Sequence, residues 1–375
     1  MPFDSHAGLP DNHLRRRITR LLLWLVGGVV ALLVALVIVF TVGGFMFSAP
    51  TYQGAVSEHF DGERFFNPSG ALTDKSFRDM MRWQFTRKVG PWRDWVDSAP
   101  GIKPAASVGK GNMRVTFVNH ATILVQMDGM NILTDPMWSQ RASPLSWIGP
   151  RRVRDPGIRY EDLPTIHAVL LSHNHYDHTD LPTLRRLRDS HDPLFFCHLG
   201  NRALLEQAGI SRVREVDWWD AAEISSLVKV HSVPAQHFSA RGTFDRNGTL
   251  WGGYVLSGPS GNLYFAGDTG LGPHFDEIRK RFSPLRMSLL PIGAFRPIWF
   301  MKEAHLSPSD AVAAHQRLQS HTSMAIHYGT FHLGDDGETE PVEKLQIAKQ
   351  AAEVSDDNFW VLEFGEGRNV PPVRQ

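Results

Sequence analysis

Nine consecutive residues, Leu171-Ser-His-Asn-His-Tyr-Asp-His-Thr179, constrain this chain more than any other stretch. His173, His175, Asp177 and His178 put four metal-ligand side chains into six positions, directly after the apolar run at 167–172. A short apolar run bounded by polar residues reads as a buried strand. The ligands then sit on the loop leaving its carboxyl end, where α/β folds gather their chemistry. Imidazole with carboxylate suits Zn²⁺, or Fe and Mn as harder alternatives, and needs no cysteine. One ion takes three or four protein ligands, so four in one loop point to two ions.

Further strands deliver similar residues. Residues 230–236 read as a strand ending in His237, 263–267 lead to Asp268, and 323–326 lead to His327. Strands are also expected at 114–118, 123–127 and 130–134, with Asp128-Gly129 as a hairpin turn, and at 194–198, 250–257, 288–291 and 359–364. Ser307 caps a helix over 311–318, with Pro308 at its first position. Strands alternating with helices from Met113 onward, without a simple repeat, make the body an α/β domain over 111–375.

The amino terminus is a different object. Leu21 to Phe47 is apolar and uncharged, long enough to span a bilayer and longer than the apolar core of a cleaved signal peptide. Arg15, Arg16, Arg17 and Arg20 precede it, and the next basic residue is Arg64. By the positive-inside rule, residues 1–20 are a cytoplasmic tail, 21–47 a single-pass anchor, and the body is periplasmic or otherwise extracytoplasmic. Residues 48–110 form a lead-in with an amphipathic helix expected over 72–88, where Phe77, Met81 and Phe85 oppose Lys75, Arg78 and Arg82. That helix could lie on anionic headgroups or pack on the domain it introduces.

Lys+Arg equals Asp+Glu at 39 each, so bulk charge offers no footprint for nucleic acid. Cys197, the single cysteine, excludes an intrachain disulfide.

The surrounding text resembles a known family. Asn119-His-Ala-Thr, Leu133-Thr-Asp-Pro, Arg141-Ala-Ser-Pro, Asp217-Trp-Trp, Phe265-Ala-Gly-Asp-Thr, Pro291-Ile-Gly-Ala and Ala325-Ile-His-Tyr-Gly-Thr-Phe resemble N-acyl-phosphatidylethanolamine-hydrolysing phospholipase D, of the metallo-β-lactamase fold. The family usually has Gly where this chain has Asn119. The resemblance implies an αββα four-layer sandwich and two zinc ions per chain. His173, His175 and His237 would hold one ion, Asp177, His178 and His327 the other, and Asp268 would bridge them. Asp177 and Asp268 then join the chemistry, with His305 near the substrate. His120 is expected in support of the site, and Trp299, Phe300, Met301, Phe295 and Trp138 along an acyl groove. The implied reaction is hydrolysis of N-acyl phosphatidylethanolamine to N-acylethanolamine and phosphatidic acid by a hydroxide between the metals. Its alternatives are a metal hydrolase for a soluble substrate such as a sugar-phosphate lactone, and a nuclease that would want the basic groove this chain lacks.

Overall fold

Strands that are apolar at every position need cover on both faces, and this chain builds two sheets that cover each other. The computed structural model describes residues 12–373 except residue 72. Residues 1–11 of the expected tail, with Asp4 and Asp11, and Leu72 of the expected helix lie outside the described residues.

The first sheet contains β1 (Met113–Asn119), β2 (Thr122–Met127), β3 (Met130–Thr134), β4 (Ala168–Leu171), β5 (Leu194–His198) and β6 (Val213–Val216). The second contains β7 (Ala221–Glu223), β8 (Lys229–Val233), β9 (Gly253–Gly258), β10 (Gly261–Phe265), β11 (Leu285–Pro291), β12 (Thr322–Ile326) and β13 (Phe359–Trp360). The last strand, β14 (Gly367–Asn369), returns to pair with β1, so the orders are β14-β1-β2-β3-β4-β5-β6 and β13-β12-β11-β10-β9-β8-β7. Each sheet begins as an antiparallel meander and continues as parallel strands, a symmetry that leaves no residue-level repeat.

Period-2 alternation explains the layers. Ala168, Leu170 and Phe196 face the core between the sheets, while Val169, Leu171, Phe195 and Cys197 face a second core. That outer core is closed by Leu184 and Leu187 of α3 (Leu181–His191) and Leu205 of α4 (Arg202–Gln207). On the far side, α5 (His274–Phe282), α7 (Pro308–Leu318) and α8 (Glu340–Ala351) cover the second sheet through Phe275, Ala311, Leu318 and Leu345. The result is the αββα sandwich, in which each fully buried large apolar side chain contributes roughly 1.5–3 kcal/mol.

Several local expectations meet their physics. The Asp128-Gly129 turn has positive φ at both residues, 51° and 86°, matching the right-handed twist of β2 and β3. Ser307 and Asp310 form a capping box, so α7 opens at Pro308 instead of 311. The strand expected over 359–364 pairs only at β13. Beyond it, Leu362 O accepts the Tyr328 hydroxyl at 2.7 Å and Gly365 N–H donates to Phe117 O at 2.7 Å, drawing the chain across to the first sheet. The short strands β6, β7 and β14 carry charged or small residues and give no apolar signal.

The amphipathic helix is shorter than 72–88. As α2 (Phe77–Thr86) it starts behind a Ser76/Asp79 capping box that leaves Lys75 outside it. It ends where Arg87 turns extended and binds Asp335 at 2.8 Å. No residue of α2 is buried. Lead-in residues from 49 onward belong to the same structural unit as the two sheets.

The amino-terminal helix α1 (Asn12–Phe47) falls in a separate unit. Its stretch Arg15–Phe47 is long and apolar enough to cross a membrane.

Candidate metal centre

One end of the sandwich collects the ligand-type residues, because parallel strands deliver their following loops to the same edge. β4 leads to His173, His175, Asp177 and His178; β8 leads to His237, β10 to Asp268 and β12 to His327. The turn before Asp268 needs Gly267, which has φ 60° and where a Cβ would meet the Ser172 side chain at 2.5 Å.

The seven side chains form two groups around one carboxylate. His173, His175 and His237 converge, with His173 Nε2 2.8 Å and His237 Nε2 3.4 Å from His175 Nδ1. Asp177, His178 and His327 converge with His120: Asp177 Oδ2 lies 3.3 Å from His178 Nε2 and 3.5 Å from His327 Nε2. Asp268 Oδ2 stands between the groups, 3.1 Å from His327 Nε2, 3.3 Å from His178 Nε2 and 4.0 Å from His237 Nε2. His305 Nδ1 approaches the same oxygen at 3.7 Å.

Hydrogen-bond partners decide which nitrogens face inward. His237 Nδ1 donates to Ala304 O at 2.8 Å, which leaves Nε2 with a lone pair. The Ser172 hydroxyl donates to Asp135 Oδ2 at 2.6 Å and so accepts from His173 Nδ1 at 2.9 Å. His178 Nδ1 donates to the same Asp135 oxygen at 2.6 Å. The Nε2 atoms of His237, His173 and His178 therefore face inward, from the loops after β8 and β4, and a divalent cation is the natural partner for them.

Electrostatics points the same way. Burial pushes His173 and His237 well below the usual histidine range and His175 down to about 3. Burial also opposes charge on His178 and His327, yet the facing carboxylates, Asp268 foremost, outweigh it; His178 is held well above its usual range and His327 rises to about 9. Burial likewise disfavours the Asp177 and Asp268 charges, but His178 and His327 hold both carboxyls well below their ordinary range. His178 Nε2, His327 Nε2 and Asp268 Oδ1 are buried without any hydrogen-bond partner. Such orphaned groups are costly in a protein interior unless an ion satisfies them. The donor set of imidazoles and carboxylates fits zinc.

Supporting residues came partly from outside the expected set. His120 Nε2 donates to Asp177 Oδ2 at 2.9 Å, which places it in support of the site. Asp135, within the Leu133-Thr-Asp-Pro block, carries no role expected from sequence, although it follows a strand just as Asp268 does. It is fully buried with φ 34° and orients two histidines at once. Asn67, far upstream, exchanges hydrogen bonds with the His237 backbone at 3.0 and 3.2 Å. Arg241 Nη1 ties the ends of the ligand loop together through Asn174 O at 2.8 Å and Thr179 O at 2.9 Å.

A cavity of about 420 Å³ opens onto the centre. His175, Asp177, Asp268 and His305 reach its floor, while Met80, Trp83, Phe238, Phe300 and Met301 wall it. The expected acyl-groove set divides here. Neighbours in the one-turn helix α6 (Ile298–Met301) point apart: Phe300 packs at a tilt against Trp83, ring centres 4.6 Å apart, whereas Trp299 sits under Arg82 at 4.4 Å. Trp299 and Phe295 line a separate cleft beside α7 and α8. Trp138 packs edge-on against Tyr160 at 5.7 Å in the outer core. Those three are not walls of this cavity.

Two mixed sheets with a His/Asp cluster at their shared edge define a metal-dependent hydrolase of the metallo-β-lactamase fold. Residues 130–328 match the model of the beta-lactamase superfamily domain. A possible metal-dependent hydrolase from Veillonella parvula shares the fold, with a TM-score of 0.56, 17% identity, and coverage of 68% of this chain and 99% of that one. An uncharacterised protein of Mycobacterium tuberculosis is 38% identical over 82% of either chain. The N-acyl-phosphatidylethanolamine-hydrolyzing phospholipase D 1 of Caenorhabditis elegans is 35% identical over 67% of this chain and 74% of its own length. The chain belongs to the N-acyl-phosphatidylethanolamine-hydrolysing phospholipase D family.

Proposed function

We propose that the protein is a dinuclear zinc phosphodiesterase that cleaves N-acyl phosphatidylethanolamine to N-acylethanolamine and phosphatidic acid. The observation that carries this reading is the Asp268 carboxylate standing between two histidine groups at the floor of an apolar-walled cavity. His173, His175 and His237 would hold one ion, Asp177, His178 and His327 the other, with Asp268 shared. Two bound zinc ions supply Lewis acidity toward a phosphoryl oxygen and acidify a water.

The chain's own groups do the rest. Burial holds His305 down to about 4, so it is neutral and can donate one ring N–H to a phosphoryl or leaving-group oxygen in the cavity. Met80, Trp83, Phe300 and Met301 take acyl chain and exclude bulk water, which strengthens every charge contact at the floor. No side chain needs to become covalently attached to phosphorus. Water adds at phosphorus, the bond to the N-acylethanolamine oxygen breaks, and that oxygen leaves with a proton.

The zinc-loaded protein is expected to hydrolyse N-acyl phosphatidylethanolamine in preference to other phospholipids and to sugar-phosphate lactones, and to carry ¹⁸O from labelled water into phosphatidic acid. Label in the N-acylethanolamine, or turnover of lactones alone, would defeat the reading.

We further infer a single-pass anchor with its amino end in the cytoplasm and the body across the membrane. Its support is the apolar α1 and the four arginines ahead of its uncharged stretch. Protease added to intact spheroplasts should digest the body, and a protected body would reverse the orientation.

A further inference from the structure

The wall of the site cavity carries two cations, Lys75 and Arg246, and they are not equivalent. Arg246 is already engaged. Its Nε donates to Asp74 at 2.6 Å, its Nη2 donates to Thr73 O at 2.9 Å, and its guanidinium lies 4.1 Å over the Phe238 ring. Those bonds tie residues 73–74 to the body beside His237. Lys75, the next residue, is half-buried on the cavity wall, with its ammonium 5.6 Å from the Phe300 ring.

Among the described residues Lys75 makes no ion pair. Asp74, next to it in the chain, is taken by Arg246, and Asp79 is held by the Ser76 hydroxyl at 2.6 Å and the Ser76 backbone at 3.2 Å. The Ser76 cap also excludes Lys75 from α2, so its side chain is not part of that helix's exposed face. A cation with no ion pair among the described residues, set over a wall otherwise built of Met80, Trp83, Phe300 and Met301, has one evident use. It meets an anion that enters with an apolar tail.

We propose that Lys75 forms an anion subsite that binds a non-bridging phosphate oxygen of the substrate, with Arg246 as the residue that positions it. This rests on the phosphodiester reading above. A lysine presents a point charge that tolerates variation in the rest of the headgroup, so the subsite selects an anionic diester over a neutral ester or lactone. It acts in binding and not in bond cleavage.

The test uses the zinc-loaded full chain in detergent, with Lys75→Met and Lys75→Arg. On the soluble diester bis(p-nitrophenyl) phosphate, Lys75→Met should raise KM about tenfold and leave kcat within roughly twofold, as loss of one charge-assisted hydrogen bond in a half-exposed setting predicts. Lys75→Arg should restore most of the loss. Titration with inorganic phosphate should show weaker binding to Lys75→Met by a similar factor. An unchanged KM on the soluble diester overturns the proposal, as does an effect seen only on vesicles containing anionic lipid, which would place Lys75 on the bilayer. A wild-type protein that cleaves no diester defeats the functional reading instead. The phosphate titration then decides the subsite alone, and equal affinity in wild type and Lys75→Met overturns it.

Discussion

Asp268→Asn is expected to lower kcat/KM on the order of 10³-fold or more and to reduce bound zinc below two ions per chain. Its Oδ2 faces both histidine groups, at 3.1 Å from His327 Nε2, 3.3 Å from His178 Nε2 and 4.0 Å from His237 Nε2. The amide keeps the shape but removes the charge, and it can turn an N–H toward a cation. Its fold should persist, because the amide fills the same space and Asp268 Oδ1 is unpartnered. Turnover, elemental analysis and a circular dichroism melt separate the outcomes. Full activity with two ions would remove the shared-ligand reading, and a collapsed melt would make the loss structural.

Asp135→Ala is expected to weaken zinc binding by roughly 10–100-fold without touching a proposed ligand, the usual cost of losing an outer carboxylate. Asp135 accepts from Ser172 N at 2.8 Å, from the Ser172 hydroxyl at 2.6 Å and from His178 Nδ1 at 2.6 Å. Through Ser172 it also sets the proton on His173 Nδ1. One deletion therefore frees the tautomer of a histidine in each group. Competition with a chelator reads the affinity directly. Melting curves of the stripped protein provide the control: a general packing defect would lower the stripped and loaded melts together, whereas an orienting role lowers the loaded one more. Equal zinc affinity in the variant would falsify the orienting role.

Much of the fold was legible because its cause is local. Ala168–Leu171 is apolar on both faces, and a strand covered by helices on one side and a sheet on the other requires that pattern. Asp128-Gly129 is a turn because only such residues take two successive positive φ values cheaply. The Ser307 cap declared α7 for the same kind of reason. Ligand chemistry is local too: His173, His175, Asp177 and His178 stand in one loop, and His237, Asp268 and His327 each follow an apolar strand.

The rest depended on residues distant in sequence. Asp135 becomes an orienting group only when β3 lies beside β4, which brings it to His178, 43 positions away. Asn67 reaches His237 across 170 positions. Phe300 and Trp299 are adjacent, equally apolar letters, and the direction of one helical turn sends them to different cavities. Lys75 reads as part of a basic helix face until the Ser76 cap places it outside the helix and on the cavity wall. Period and residue chemistry act over a few positions, so the chain alone determined its apolar strands, its turn and its candidate ligands. Which side chains meet around those ligands is set by how the sheets and loops close on each other, and that closure belongs to the tertiary structure.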